Sequence, residues 1–152
     1  MSRESKILNT SYGEKAETLI SHYEAFGWEL LAINGSQITM TRETQNPVYV
    51  ELVKHQSKYE ELKAEYHSIT YPKAPTPPPP VDFTTCLITF VLAVFPMVLY
   101  LVYKHNQKQK YLLALNAYNE SVAALNAKKA ALLAEMEETV LQSRGIFFAK
   151  QS

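Results

Sequence analysis

One uncharged stretch, Phe83–Tyr103 (FTTCLITFVLAVFPMVLYLVY), organises this chain of 152 residues. Its 21 residues include no Asp, Glu, Lys or Arg. As a helix they would extend about 31 Å, close to the thickness of a bilayer's hydrocarbon core. Asp82 precedes the stretch and Lys104 follows it, and tyrosines near its end are typical of an aromatic belt at a membrane surface. The sequence therefore predicts one transmembrane helix at 82–104.

Pro96 lies inside this predicted span. Because proline removes a backbone hydrogen bond, we expect it to bend the helix. If the bend acts as a hinge, the protein would be membrane-active or transport-accessory, in the manner of a holin or a channel-associated protein. No ionisable side chain lies within 83–103, so the stretch offers no chemistry for an ion or proton pathway.

A small α+β domain is predicted before the span, in residues 1–70. Ser11–Glu14 has the form of a capping box, and an apolar stripe at helical spacing follows it. The dipeptide Asn34-Gly35 separates two strand-like runs, Trp28–Ile33 and Gln37–Thr41. Because Asn-Gly accepts positive φ at both turn positions, these residues predict a β-hairpin.

A longer helix, 47–69, is predicted to complete this domain. It begins at Asn46-Pro47, where Asn is a suitable N-cap and Pro a suitable first residue. We expect its first half to pack on the hairpin, because a lone two-stranded hairpin is only marginally stable in water. The whole stripe also has heptad spacing, so a coiled coil is the alternative. Its positions are Val48, Leu52, His55, Tyr59, Leu62, Tyr66 and Ile69.

Residues 15–43 resemble a group of small uncharacterised α/β domains. The resemblance rests on Leu19-Ile20, Gly27-Trp28-Glu29-Leu30 and Arg42. Those domains combine a short helix with a Gly-Trp-Glu-Leu strand and a second strand that ends in Arg. The resemblance implies this helix-and-hairpin fold, and it brings no activity and no site residues with it.

A proline-rich linker, 71–81, joins the domain to the span. Six of the eight prolines lie in Pro72–Pro80. Such a run favours polyproline II, with a rise of about 3 Å per residue. We therefore expect a stiff spacer; a docking peptide for an SH3-like module is the alternative.

After the span, 105–144 is predicted to be an amphipathic, coiled-coil-like helix. No glycine lies between Phe83 and Ser143, so one nearly continuous helix of about 90 Å is expected from the membrane onward. Seven of eight positions spaced by four and three are apolar, and the exception, Lys129, would set register. Gly145 suits a C′ position, which leaves 145–152 as a short tail. The predicted interaction seam is Tyr111, Leu115, Tyr118, Val122, Leu125, Lys129, Leu132 and Met136.

The charge is divided by the predicted span. Residues 1–82 carry eight basic and eleven acidic side chains, whereas residues 104–152 carry seven and four. The positive-inside rule therefore favours a cytoplasmic C-terminal helix and an external N-terminal domain in a single-pass protein.

No catalytic motif or metal-ligand spacing occurs among the four histidines and the single cysteine, Cys86. One cysteine excludes an internal disulfide framework, and equal numbers of basic and acidic residues exclude a strongly basic nucleic-acid binder. We therefore predict a non-enzymatic membrane scaffold without cofactor or metal. Its expected partners are the lipid bilayer and either a second copy or another helical membrane protein, and no nucleic acid.

Overall fold

A computed structural model describes residues 2–10, 15–92 and 94–149, with the backbone alone for 89–92, 94 and 95. It forms two compact units: unit 1 is Met1–Ile69 with Lys129–Ser152, and unit 2 is Thr70–Lys128. The predicted class, an α+β N-terminal region followed by a long helix, is confirmed at that level. The elements are β1 (Arg3–Asn9), α1 (Ala16–Glu24), β2 (Glu29–Asn34), β3 (Gln37–Glu43), α2 (Tyr49–Ser68), α3 (Phe83–Leu92) and α4 (Val94–Ala149).

The three strands form one antiparallel sheet in the order β1-β3-β2. The predicted hairpin is therefore present as β2 and β3, and a bulge between Leu30 and Ala32 interrupts its register. Gly35 and Ser36 occupy the turn, because Asn34 still pairs with Gln37. Gly35 has a φ of 60° and Ser36 has no positive φ, which is typical of a type II′ turn. The turn thus lies one residue later than the Asn-Gly dipeptide suggested.

Strand β1 is an element that the sequence pattern did not predict. Its inward positions pair with the inward residues of β3: Glu4 with Arg42, Lys6 with Met40, and Leu8 with Ile38. Two of these three inward side chains are charged, so the strand lacks the apolar alternation by which a half-buried strand is recognised. Packed side chains from distant positions neutralise both charges, which makes this polar strand stable.

The hydrophobic core of unit 1 draws on both ends of the chain. The apolar stripe of α2 faces inward, as its spacing predicted, so its first half does pack on the sheet domain. The last part of α4 completes the same core. The core members are Leu8, Leu19, Tyr23, Ala25, Phe26, Trp28, Ile38, Met40, Tyr59, Leu62, Leu132, Met136 and Val140.

Within unit 2 the chain reverses between α3 and α4. The backbone N–H of Asp82, just before α3, lies 3.4 Å from the Tyr100 hydroxyl on α4. In one straight helix these residues would be about 27 Å apart. The far end of α3, Leu92, is two residues from Val94, where α4 begins. The two helices therefore run in opposite directions, and the expectation of one continuous helix from Phe83 is wrong.

The proline-rich segment lies along α4 instead of standing free as a spacer. The Lys104 ammonium donates to the Pro79 carbonyl at 3.2 Å, and the Tyr71 hydroxyl donates to Asn126 Oδ1 at 2.6 Å. The segment runs antiparallel to α4, because Tyr71 lies beside Asn126 and Pro79 lies beside Lys104. An extended chain rises about twice as far per residue as a helix, so this short segment covers several turns of α4.

One predicted helix end, the C-terminal end of α4, differs in the structure. Gly145 lies within α4, which continues to Ala149, so the helix does not end at 144. The apolar residues beyond Gly145 still have packing partners in unit 1, and this favours continuation of the helix. The predicted capping box, Ser11–Glu14, lies outside the described residues.

Across 2–10, 15–92 and 94–149, no helix has both the length and the apolar character needed to cross a membrane.

Candidate interaction surfaces

A buried arginine organises the sheet side of unit 1. Arg42 is 5% exposed, and its Nε donates to Glu4 Oε1 at 2.7 Å. One terminal nitrogen donates to the Phe26 carbonyl at 3.1 Å and to Gln56 Oε1 at 3.0 Å. The guanidinium also lies 4.4 Å from the centre of the Trp28 ring, a cation–π distance. Arg42 therefore connects β1, β3, α2 and the residues between α1 and β2.

The network continues through Glu60 on α2. Its Oε1 accepts hydrogen bonds from the Gln56 amide at 2.8 Å, the Tyr23 hydroxyl at 3.0 Å and the Lys6 ammonium. Burial acts to raise the pKa of Glu60, but these hydrogen bonds and the charge of Lys6 outweigh it, and the net pKa lies below its ordinary value. The polar groups of this network satisfy one another, so we interpret it as structural support for the fold.

An open groove of about 670 Å³ lies beside this network in unit 1. One wall is formed by Trp28, just before β2, and by Leu30 of β2. The other wall is formed by Arg144, Phe147 and Phe148 at the end of α4. Because β2 is an edge strand, the groove adjoins an unpaired strand edge. The two terminal phenylalanines, which the sequence left as a tail, are thus part of a surface in unit 1.

The end of the predicted seam lies inside unit 1. Leu132 and Met136 are buried in the core, and the Lys129 ammonium lies 5.0 Å from the centre of the Tyr66 ring. Lys58 on α2 and Glu135 on α4 form an ion pair at 2.8 Å. These contacts place α2 and α4 antiparallel. In this part of α4 the predicted seam thus packs against α2 of the same chain, and its pairing with a second helix stays a prediction.

The buried face of α4 extends beyond the predicted seam. Val140 is in the core, and Ser143 is fully buried with its hydroxyl donating to the Thr139 carbonyl at 2.9 Å. Phe147, four residues later, lines the groove. The alternation by four and three continues through 140, 143 and 147, so a seam extended past Met136 would have found these residues.

The first part of the seam lies in unit 2, and its residues are only half-buried. Tyr111 borders a groove formed with Pro75–Pro79. The flanking positions on α4 are exposed, so the seam is again the less accessible face of the helix. The half-buried positions are Tyr111, Leu115, Tyr118, Val122 and Leu125.

The reversal between α3 and α4 leaves a large apolar surface in unit 2. We call it the hairpin surface and define it by eight side chains that are 42–79% exposed. No charged residue lies among them in the sequence. They are Phe83, Leu87, Ile88, Val98, Leu99, Leu101, Val102 and Tyr103.

Pro96 lies in the first turn of α4, which begins at Val94. The N–H groups of a first turn have no partner within the helix, so a proline there breaks no hydrogen bond. The predicted bend at Pro96, and the alternative function in permeation or transport that relies on it, stay predictions.

Over the described ranges 2–10, 15–92 and 94–149, no group of three His, Cys, Asp or Glu side chains could hold a metal ion. His22 Nδ1 lies 2.8 Å from the Tyr59 hydroxyl, in the interior of unit 1.

Comparison of the chain with protein-family models, curated proteins and solved structures gave no significant match in any of the three.

Proposed function

We propose that this protein is a non-enzymatic scaffold, held at a membrane by residues 83–103 and presenting unit 1 for interaction with other proteins. The observation that carries the proposal is the hairpin surface, with eight large apolar side chains exposed on α3 and the first part of α4. Contiguous apolar patches beyond a few hundred Å² are rare on soluble monomers and mark contact with a membrane or another protein.

The sequence around the hairpin surface supports lipid as its main contact. The 21-residue segment is free of charge, and Lys104, Lys108 and Lys110 follow it directly. Tyr100 and Tyr103 lie beside these lysines, at the position of interfacial aromatic residues. A protein-binding surface is usually apolar at its centre with charge at its rim; here the whole segment lacks charge.

The groove of unit 1 is the surface that would receive a protein partner. It combines aromatic side chains with Arg144, residue types that are common in interfaces. The coiled-coil pairing that the heptads predict, with a second copy or another helical membrane protein, would use Tyr111–Leu125. Leu132 and Met136 are already occupied in the core of unit 1.

A pair of leucine substitutions tests the membrane part of the proposal. Leu87 on α3 and Leu141 on α4 are 53% and 64% exposed, but only Leu87 belongs to the hairpin surface. A lysine at the centre of a bilayer costs about 3 kcal/mol, and Leu87 lies about halfway along α3, so we expect a cost of about 1–2 kcal/mol, or roughly tenfold in partitioning. We expect Leu87→Lys to move the full chain from the membrane pellet toward the supernatant, measured by alkaline extraction of fractionated cells. Leu141→Lys is the matched control and should remain in the pellet.

Two results would contradict this proposal. The first is recovery of the unsubstituted chain in the supernatant. The second is equal loss from the pellet for the two lysine variants, which would attribute the effect to added charge in general.

A further inference from the structure

We propose that residues 83–103 enter and leave the membrane through the same surface, as a helical hairpin that occupies one leaflet. This inference rests on the proposed membrane attachment and adds its geometry. It also differs from a single crossing with the two chain ends on opposite sides, which the positive-inside rule favours.

The first observation is the direction of the two helices. Asp82 at the start of α3 lies beside Tyr100 of α4, and Pro79 lies beside Lys104. The chain therefore leaves the hairpin at the level at which it entered. Asp82 also holds the start of α3, because its carboxylate accepts from the Thr84 N–H at 3.0 Å and from the Thr85 hydroxyl at 2.7 Å.

The second observation is the depth of the hairpin. Helix α3 has 10 residues, which gives a length of about 15 Å. A hydrocarbon core is about 30 Å thick, so the hairpin reaches about the midplane. A 21-residue segment that would cross as one helix covers only one leaflet when it is folded in two.

The third observation is independent of the hairpin and comes from unit 1. Its core contains Leu19 and Tyr59 from before the uncharged segment together with Leu132, Met136 and Val140 from after it. Side chains can share one core only if they lie on the same side of a membrane. The packing of unit 1 therefore requires an even number of crossings or none, and it excludes a single crossing.

The base of the hairpin, where Asp82 lies beside Tyr100, indicates which lipids the hairpin contacts. Lys104 lies over the Tyr100 ring at 5.8 Å and donates to Pro79, so this cation lies at the level of the base. Lys108 and Lys110 follow within two helical turns and are exposed. Exposed lysines next to an inserted segment attract anionic headgroups. The hairpin therefore fits a leaflet that contains anionic lipid.

Cysteine labelling in intact cells tests the topology. Cys86→Ala removes the only native cysteine, and Ser36→Cys or Gln142→Cys then places one exposed thiol in unit 1, before or after the hairpin. A membrane-impermeant maleimide is applied before and after permeabilisation. We expect the two positions to behave alike, either both labelled from outside or both protected until permeabilisation.

The outcomes separate this inference from the proposed function. Labelling of one position and protection of the other, with both chains in the membrane pellet, would overturn the one-leaflet hairpin and leave membrane attachment intact. Recovery of the chain in the supernatant as an oligomer would overturn both the membrane attachment and the one-leaflet hairpin. It would show that a second copy of the chain packs against the hairpin surface.

Vesicle flotation tests the lipid preference. The full chain is synthesised cell-free with vesicles of phosphatidylcholine, alone or mixed with phosphatidylglycerol. We expect several-fold more chain to float with the mixture, and Lys108→Gln with Lys110→Gln to remove most of that difference. Lys15→Gln with Lys54→Gln, two exposed lysines of unit 1, is the matched control. Equal flotation with both vesicle types would overturn the anionic-lipid part.

Discussion

Units 1 and 2 use the same kinds of residues in opposite ways. Unit 1 buries its aromatic and aliphatic side chains in one core, together with a charge network around Arg42 and Glu60. In unit 2, none of the side chains described at 70–88 and 96–128 is buried, although this unit holds the most apolar stretch of the chain. Helix α4 contributes to both units.

The difference shows that apolar spacing determines which face of α4 is covered. The segments that pack against this face determine how completely its side chains are buried. In unit 1 a sheet and two helices surround Leu132 and Met136. In unit 2 a single extended segment lies on one side of α4, so Leu115 and Leu125 remain half-buried. Stability should therefore depend strongly on side chains of unit 1 and weakly on those of unit 2.

The largest expected effect is at the buried arginine. Arg42→Met leaves Glu4 without its cation and removes the N–H groups that donate to Gln56 Oε1 and to the Phe26 carbonyl. Breaking a buried pair costs about 3–5 kcal/mol. Unfolding by urea, followed by fluorescence of Trp28, reports the loss. Arg3→Met is the control, because the Arg3–Glu29 pair is exposed at 3.8 Å and should change stability by less than about 1 kcal/mol. Equal losses would mean that the network is not a support of unit 1.

The second effect compares two leucines of the same predicted seam. Leu132→Ala should destabilise unit 1 by about 2–4 kcal/mol, since it leaves a cavity in a packed core. Leu125→Ala should cost about 1 kcal/mol or less, because its site is half open and no closed cavity forms. Urea unfolding followed by far-ultraviolet circular dichroism, which reports the helices of both units, compares the two variants, and a larger loss for Leu125→Ala would reverse the comparison between the units.

The third prediction is that substitution by alanine changes the stability of unit 1 in opposite directions at two of its glycines, Gly27 and Gly145. Gly27 has a φ of 82°, and an added Cβ would lie 3.1 Å from Leu52 Cδ1, so Gly27→Ala should cost about 1–2 kcal/mol. Gly145 is helical and has open space around it, so Gly145→Ala should stabilise by about 0.5–1 kcal/mol. Shifts in the thermal midpoint of unfolding measure both. Destabilisation by Gly145→Ala would argue against the continuation of α4 through this residue.

The smallest effect concerns acid pH. The net pKa of Glu60 is lower in the folded chain than in the unfolded one, so its stabilising contribution is present above the unfolded value of about 4.3. It is lost as the pH falls through the folded pKa. We expect Glu60→Gln to flatten the decline in unit 1 stability below that pH, measured by urea titration at several pH values. Glu61→Gln, at an exposed neighbouring position, should leave the decline unchanged.

The sequence predicted the elements that carry a local signal. Helix α2 was recognisable because its apolar spacing matches the helical period, and the β2–β3 hairpin because a glycine turn separates two strand-like runs. Strand β1 was missed because Glu4 and Lys6 face inward, where local pattern gives no sign of the distant Arg42 and Glu60 that pair with them. The groove at Phe147 was missed for a similar reason, since its other wall is more than one hundred residues away.

Sequence alone determined the charge-free segment, the proline-rich segment and the heptad face of α4, because each depends on residues close together in the chain. Tertiary structure decided what those parts contact. It showed the reversal between α3 and α4, through Asp82 and Tyr100, and the return of Leu132 and Met136 to the N-terminal core. Periodicity specifies a face and not its partner, because an apolar stripe loses the same contact with water against lipid, a second chain or its own chain.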